Sequence, residues 1–166
     1  ISTYRNNEGQ YVASVTKPEN REAYEKELKR ILDNAPRNKQ GQLLAPNGKP
    51  TKLSKRQYAQ VRTKAFKKWF GDWTKITQNE DGTWNIPDDV SKVIDSETGE
   101  PMIVYHHSKS SFTEFKYDKI KGVEGGFYFS TSEEYSKQFG NEKYKVFLNI
   151  KNPINSDIPL HSDNLY

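Results

Sequence analysis

At 166 residues, with no cysteine and a formal net charge of +4, the chain has room for one domain of ordinary size plus an appendage, and disulfides, thiolate chemistry and cysteine-based zinc sites are excluded. Only 33% of residues are apolar and the mean hydropathy is −1.01, yet 13% are aromatic, so part of the length is solvated while Tyr, Phe and Trp supply a core between residues 58 and 148. No apolar run approaches the roughly 18 to 20 residues of a bilayer span and no basic-then-apolar leader opens the chain, which predicts a protein outside the membrane; Ile1 in place of Met suggests a processed or excised chain.

PENREAYEKELKRILDNAP reads as a helix between Pro18 and Pro36, with a thin apolar stripe of Tyr24, Leu28, Ile31 and Leu32. RNKQGQLLAPNGKPTKL follows as a loop punctuated by Gly41, Pro46, Asn47, Gly48 and Pro50. It places a boundary near residue 50, with residues 1–50 a basic helical extension and linker and residues 51–166 the domain proper. SKRQYAQVRTKAFKKWFGDW is the clearest helix. Ser54 caps it, Gln57 closes a capping box, Tyr58, Val61, Ala65 and Trp69 share one face beside Phe66 and Phe70, and Gly71 ends it.

Beyond the turn-rich NEDGTWNIPDD, short strands take over. SKVID and MIVYH read as a hairpin around SETGEP, and GGFYFS as a further strand. TSEEYSKQFG is a short helix capped by Thr131 and ended by Gly140. In KYKVFLNI the alternation of Tyr144, Val146, Leu148 and Ile150 sets one face on the core. Short strands with few helices and no internal repeat predict an α+β fold.

The charge is unevenly spread: residues 1–75 hold 17 Lys+Arg and 7 Asp+Glu, residues 76–166 hold 9 and 15. Such a basic first half either neutralises nucleic-acid phosphates or docks on the acidic half of its own chain. No interleaving of aromatic and basic residues marks a base-stacking surface. Among chemistry-bearing residues the adjacent pair in PMIVYHHSKS stands out, since the chain has three histidines in all. Strand alternation sends His106 and His107 to opposite faces, so at most one enters a given pocket, and an inward histidine at a strand end is more often a hydrogen-bonded structural group than a catalyst. No paired HxxxH spacing occurs, and no metal site is expected.

Taken together, VYHHS followed by FTEF, then GGFYFSTSEEYSKQF, then VFLNIKNP resemble the ADP-ribosyltransferase-like domain of polyvalent proteins from phages and conjugative elements, a branch of the superfamily of diphtheria toxin and the poly-ADP-ribose polymerases. VRTKAFKKWFGDW and SKVIDSETGEPMIVYH resemble its lead-in, so the likeness covers about residues 40 to 155. It implies split antiparallel β-sheets, here behind an N-terminal helical, basic extension, with NAD as the substrate and ADP-ribose passed to an unidentified protein or nucleic-acid target. It also implies a toxin or effector of the bacterial or phage-infected cytoplasm, or one delivered with a phage or conjugative particle.

By position, Tyr105, His106 and His107 stand at the family's Tyr-His-Gly strand. There the histidine bonds the adenosine ribose and the glycine backbone clasps the nicotinamide carboxamide; His107 replaces that glycine. Tyr128 stands at the tyrosine that stacks on the nicotinamide ring. Phe139 stands at a second aromatic facing it, with Tyr135 one turn earlier as the other candidate. The resemblance therefore implies His106 and Tyr128 as catalytic residues and Tyr105, His106, His107, Tyr128 and Phe139 as the NAD-binding set. The family's glutamate, which stabilises the oxocarbenium-like centre, has no counterpart: after VFLNIKNP only Asp157 and Asp163 offer a carboxylate, and the glutamate strand is expected beyond residue 166. Two readings of other classes stand beside this one. One is a non-catalytic module that binds a nucleotide or nucleic acid. The other is a small toxin nuclease with His106 or His107 as general base, which the net acidic residues 76–166 disfavour.

Overall fold

Asn20 precedes the first regular helix of the computed structural model, which describes residues 2–5, 11–14, 20–115 and 127–154, the first two stretches by backbone alone. Helix α1 (Arg21–Asp33) lays Tyr24 and Leu28 against Ala59 of helix α2 (Lys55–Arg62), and Glu25 pairs with Arg56 at 2.6 Å. The intervening loop is also tied in: Leu43 and Ala45 are buried, and the Tyr58 hydroxyl donates to the Leu44 carbonyl.

At the start of α2 the capping box forms as the sequence predicts, with Ser54 accepting from the Gln57 backbone and the Gln57 side chain accepting from Ser54. The helix does not reach Gly71 in one piece. Thr63 adopts an extended backbone (φ −66°, ψ 152°), ends α2, and caps helix α3 (Lys64–Phe70) by accepting the Phe66 N–H. This break turns the buried face: Tyr58 and Val61 stay inside, but after it Phe66 and Phe70 are buried while Ala65 and Trp69 are only partly so. Gly71 does end α3, at φ +99°, where an added Cβ would stand 2.5 Å from the Asp89 carbonyl oxygen.

Val61, Phe66 and Phe70 build the main core with Trp73, Val90, Ile94 and Phe147. Trp73 lies in the 3-10 turn Trp73–Lys75, is 1% exposed, and donates its indole N–H to the Val61 carbonyl at 2.7 Å. Indole burial with its one donor satisfied combines a large apolar gain with no orphaned polar group.

The larger sheet takes strands β1 (Ser2–Arg5), β2 (Tyr11–Ser14), β5 (Val104–Ser108) and β6 (Glu142–Val146) in the order β1-β2-β6-β5, and β3 (Thr77–Gln78) with β4 (Trp84–Asn85) forms a separate exposed ribbon. Pairing is antiparallel in β1/β2 and β5/β6 and parallel in β2/β6. The N-terminal stretch, read from sequence as part of a helical extension, thus also contributes strands. On the free side of β5, Tyr105 and Ser130 exchange both backbone hydrogen bonds. Helix α4 (Glu133–Ser136), continued by the 3-10 turn Lys137–Phe139, then packs back on β5. Its cap is Ser132, which accepts the Tyr135 N–H, in place of the expected Thr131. The architecture is α+β, as the alternation of short strands and helices predicts.

The two charge halves meet at a seam. Arg62 reaches Glu100, whose side chain is 1% exposed, at 2.7 Å, and the Thr51 hydroxyl donates to the same carboxylate. Lys52 pairs with Asp95 and Glu97 beside them. At this seam the basic half docks on the acidic half of its own chain.

Candidate active site

The pleat of VYHHS separates its two histidines. Val104, His106 and Ser108 share one face of β5, Tyr105 and His107 the other. His106 stands opposite Tyr144 of β6, and its ring lies 5.3 Å from that of Phe115 and 5.5 Å from that of Phe129. Its Nδ1 donates to the Tyr128 carbonyl at 2.8 Å. A carbonyl only accepts, so Nδ1 carries the proton of this bond. His106 is therefore a ring packed among aromatics that holds the backbone of the next segment.

His107, 6% exposed, faces α4, with Nδ1 at 2.7 Å from the Ser136 hydroxyl. Lys143, its neighbour on β6, bridges to Glu133 at 2.9 Å. Burial pushes the His107 imidazole below the ordinary histidine range; Glu133 opposes that shift, and Lys143, His106 and Lys137 add to it.

Tyr128 belongs to the His107 face. Phe127 and Phe129, on either side of it, pack against Phe115 on the His106 face. The Tyr105–Ser130 bridge agrees, because two residues farther along such a ladder His107 and Tyr128 become cross-strand neighbours. That ladder goes no further: the Tyr128 carbonyl is taken by His106, and the N–H and C=O of His107 point to the same side as those of Tyr105.

Three large rings are exposed on these elements. Tyr128 is 65% exposed, Tyr135 61% and Phe139 48%, and the last two meet edge to face at 5.9 Å. Gly140 keeps the helical cover close, since a Cβ there would stand 2.1 Å from the Ser108 carbonyl carbon and oxygen. On the same face the Lys145 ammonium lies 5.8 Å from the Tyr105 ring. A cleft of about 320 Å³ opens beside Tyr105, lined also by Lys52, Asp95, Glu100, Met102 and Thr131.

The structure thus gathers Tyr105, His107 and Tyr128 on one face with Phe139 on its cover, and turns the His106 imidazole to the other face. Ser136 and Lys145 were not singled out from sequence. Ser136 lies one helical turn beyond Ser132, a spacing that signals a shared face without naming the strand it meets. Asp157 and Asp163 lie outside the described residues. Among the described residues no group of acidic and histidine side chains could hold a metal ion, and no helix is long and apolar enough to cross a membrane.

Residues 96–165 match the family model described as ADP-ribosyltransferase in polyvalent proteins. No curated protein and no solved structure matches the chain. The matched stretch begins in the SETGEP turn and contains β5, the Tyr128 segment, α4 and β6, and therefore Tyr105, His106, His107, Tyr128 and Phe139. Over residues 96–165 the chain is similar to that family, a likeness that falls on VYHHS, GGFYFS and VFLNIKNP.

Proposed function

We propose that the face carrying Tyr105, His107 and Tyr128 binds NAD and that the domain is of the type that transfers ADP-ribose to a protein or nucleic-acid target. The observation that carries this reading is the exposure of three aromatic rings beside β5: Tyr128 next to the strand's open edge, and Tyr135 and Phe139 on the helical cover packed against it. Exposed rings on facing elements gain their burial only when a ligand covers them, and a planar heteroaromatic ring is the ligand that stacking selects.

Each residue of the chain then has a task. Tyr128 and Phe139 flank the nicotinamide ring. The outward N–H and C=O of His107 meet its carboxamide, hydrogen bonds a side-chain substitution leaves intact. His106 acts as a positioning residue, fixing the Tyr128 carbonyl from the opposite face. The Tyr105 cleft and Lys145 provide room and positive charge for the ribose-diphosphate portion.

A second reading, a nucleotide-binding module without turnover, is favoured by the pairing of the carboxylates around this face: Glu133 is held by Lys143, Glu134 by Lys137, Asp95 by Lys52 and Glu100 by Arg62. Losing a preorganised charge stabiliser costs about a hundredfold to a thousandfold in rate. Titration of residues 1–166 with NAD and with ADP-ribose tests the reading by calorimetry. Binding that weakens roughly tenfold in Tyr128→Ala, as loss of a stacking ring predicts, supports it. A folded chain that binds neither nucleotide overturns it. Labelled ADP-ribose then separates the two forms of the reading: efficient transfer establishes an enzyme, and binding without transfer the module.

A further inference from the structure

We propose that the outer face of α3 docks on the phosphate backbone of a duplex nucleic acid, which makes nucleic acid, and not protein, the target to which the domain is brought. The docking itself stands on charge and helix geometry; only its role in choosing a target rests on the transferase reading.

From Asn34 to Gly71 the chain holds ten Lys and Arg and no Asp or Glu. Three of the ten are used inside the molecule: Lys52 on Asp95 and Glu97, Arg56 on Glu25, and Arg62 on Glu100. The other seven of those ten form no ion pair among the described residues. Docking of the basic half on the acidic half thus uses the smaller part of the charge. On α3 the remainder is ordered by the helix: Lys64, Lys67 and Lys68 stand three and four positions apart on one side, and Phe66 and Phe70 are buried on the other. Two carboxylates border this face, and both are engaged. Glu27 of α1 accepts the Lys64 N–H at 3.1 Å, and Asp72 accepts the Thr74 hydroxyl at 2.6 Å with Lys75 3.7 Å away.

The kind of cation selects the partner. Arg56 and Arg62, whose forked donors match a carboxylate, are the ones taken by Glu25 and Glu100. The face of α3 carries lysines only, compact charges on mobile stems that follow a row of phosphates without reading bases. None of the exposed rings among the described residues lies on α2 or α3, so the face does not stack unpaired bases, and a duplex offers the denser row of charge. The helix is also tied to the matched domain. Phe66 meets Phe147 edge to face at 5.1 Å, and the Asn149 side chain donates to the Trp69 carbonyl at 2.7 Å, so a nucleic acid held on α3 has a fixed relation to the chain that leaves β6.

Fluorescence anisotropy with labelled DNA and RNA duplexes of about 20 base pairs, at salt from about 50 to 200 mM, tests the proposal. Expected is binding that weakens steeply with salt, to whichever duplex binds more tightly. Lys64→Gln/Lys68→Gln should weaken it roughly tenfold at the lowest salt and flatten the slope of log affinity against log salt by about two. Lys26→Gln/Lys29→Gln removes the same net charge from exposed lysines already paired on α1, and should stay within about twofold of the parent. All four lysines are in water, and thermal melts verify that both variants fold. Equal losses in the two variants reduce the effect to net charge and overturn the docking face. So does a folded parent that binds neither duplex, and so does poly-glutamate that competes as well as unlabelled duplex, which points to an acidic protein instead. No arm contains NAD, so these failures leave the nucleotide titrations untouched; duplex binding by a chain that binds no NAD or ADP-ribose keeps the docking face and overturns the transferase reading.

Discussion

His106 and His107 differ by one position and by a whole environment, because successive strand residues face opposite sides of a sheet. His106 contributes a hydrogen bond to a carbonyl within an aromatic cluster; His107 contributes buried imidazole against a hydroxyl. Burial lowers the folded-state pKa of His107 beneath its unfolded value. Between those two values the unfolded chain holds a proton that the folded chain lacks, so stability rises with pH through that window and is lost as pH falls below about 6.5. Urea midpoints measured from about pH 5 to 7 should fall on acidification in the parent and fall less in His107→Gln, which cannot titrate; parallel curves would exclude His107 as the source. The tryptophans make a second residue-scale contrast. Trp69 fits the sequence periodicity, yet Trp73 is the fully buried one. Trp73→Ala should therefore cost about 3 to 5 kcal/mol in urea unfolding, with a smaller loss for Trp69→Ala.

Elements in this protein are set by local capping and then trimmed by contacts from afar. Ser54 and Gln57 announce the start of α2 in the sequence itself, since both capping partners lie within one turn. Thr63 is harder to foresee: it interrupts an apolar stripe that continues on both sides, and its extended backbone is stabilised by burial at 0% exposure and by bonds to Gln60 and Phe66. Thr63→Ala should cost about 0.5 to 2 kcal/mol through the lost α3 cap. At α4 the sequence offers Thr131 and Ser132 side by side, and residue type alone does not distinguish them; Ser132 is the one whose oxygen reaches the Tyr135 N–H. Gly140 ends the following turn for a tertiary reason, the approach to Ser108. Gly140→Ala should destabilise by about 1 to 3 kcal/mol and weaken nucleotide binding as Phe139 lifts from β5. Retained binding in that variant would show that the cover of the site is compliant.

For the whole molecule, the decisive contact is the seam between the basic and acidic halves. Glu100 is a buried carboxylate whose cation, Arg62, comes from α2, with its guanidinium also 3.4 Å above the Tyr58 ring. Removing the cation strands a buried charge, so Arg62→Ala should cost about 3 to 5 kcal/mol. Lys52, with an exposed side chain, makes pairs in the same seam that are worth about 0 to 1 kcal/mol. Chemical denaturation of Arg62→Ala and Lys52→Ala checks the order, and equal losses would mean that Glu100 finds another partner. Further contacts join distant stretches in the same way: the Asn47 side chain donates to the Glu97 carbonyl and the Asn149 side chain to the Trp69 carbonyl.

The sequence by itself determined what depends on neighbours within a few positions. The N-terminal cap of α2, the stop at Gly71, the inward facing of Tyr144 and Val146 on β6 and the opposite facing of the two histidines follow from spacing and residue type, whereas the expected alternation does not continue to Ile150, which is exposed beyond the strand's end. Tertiary structure alone decided which face of α3 is buried, that the N-terminal stretch contributes strands, that Trp73 anchors the core, and that His107 lies against Ser136, 29 positions away. The division has a physical cause. Helix and turn signals are written in covalent geometry and hydrogen bonds that span one turn, whereas the neighbours of a side chain across a sheet are fixed only when segments far apart in the chain pack to exclude water.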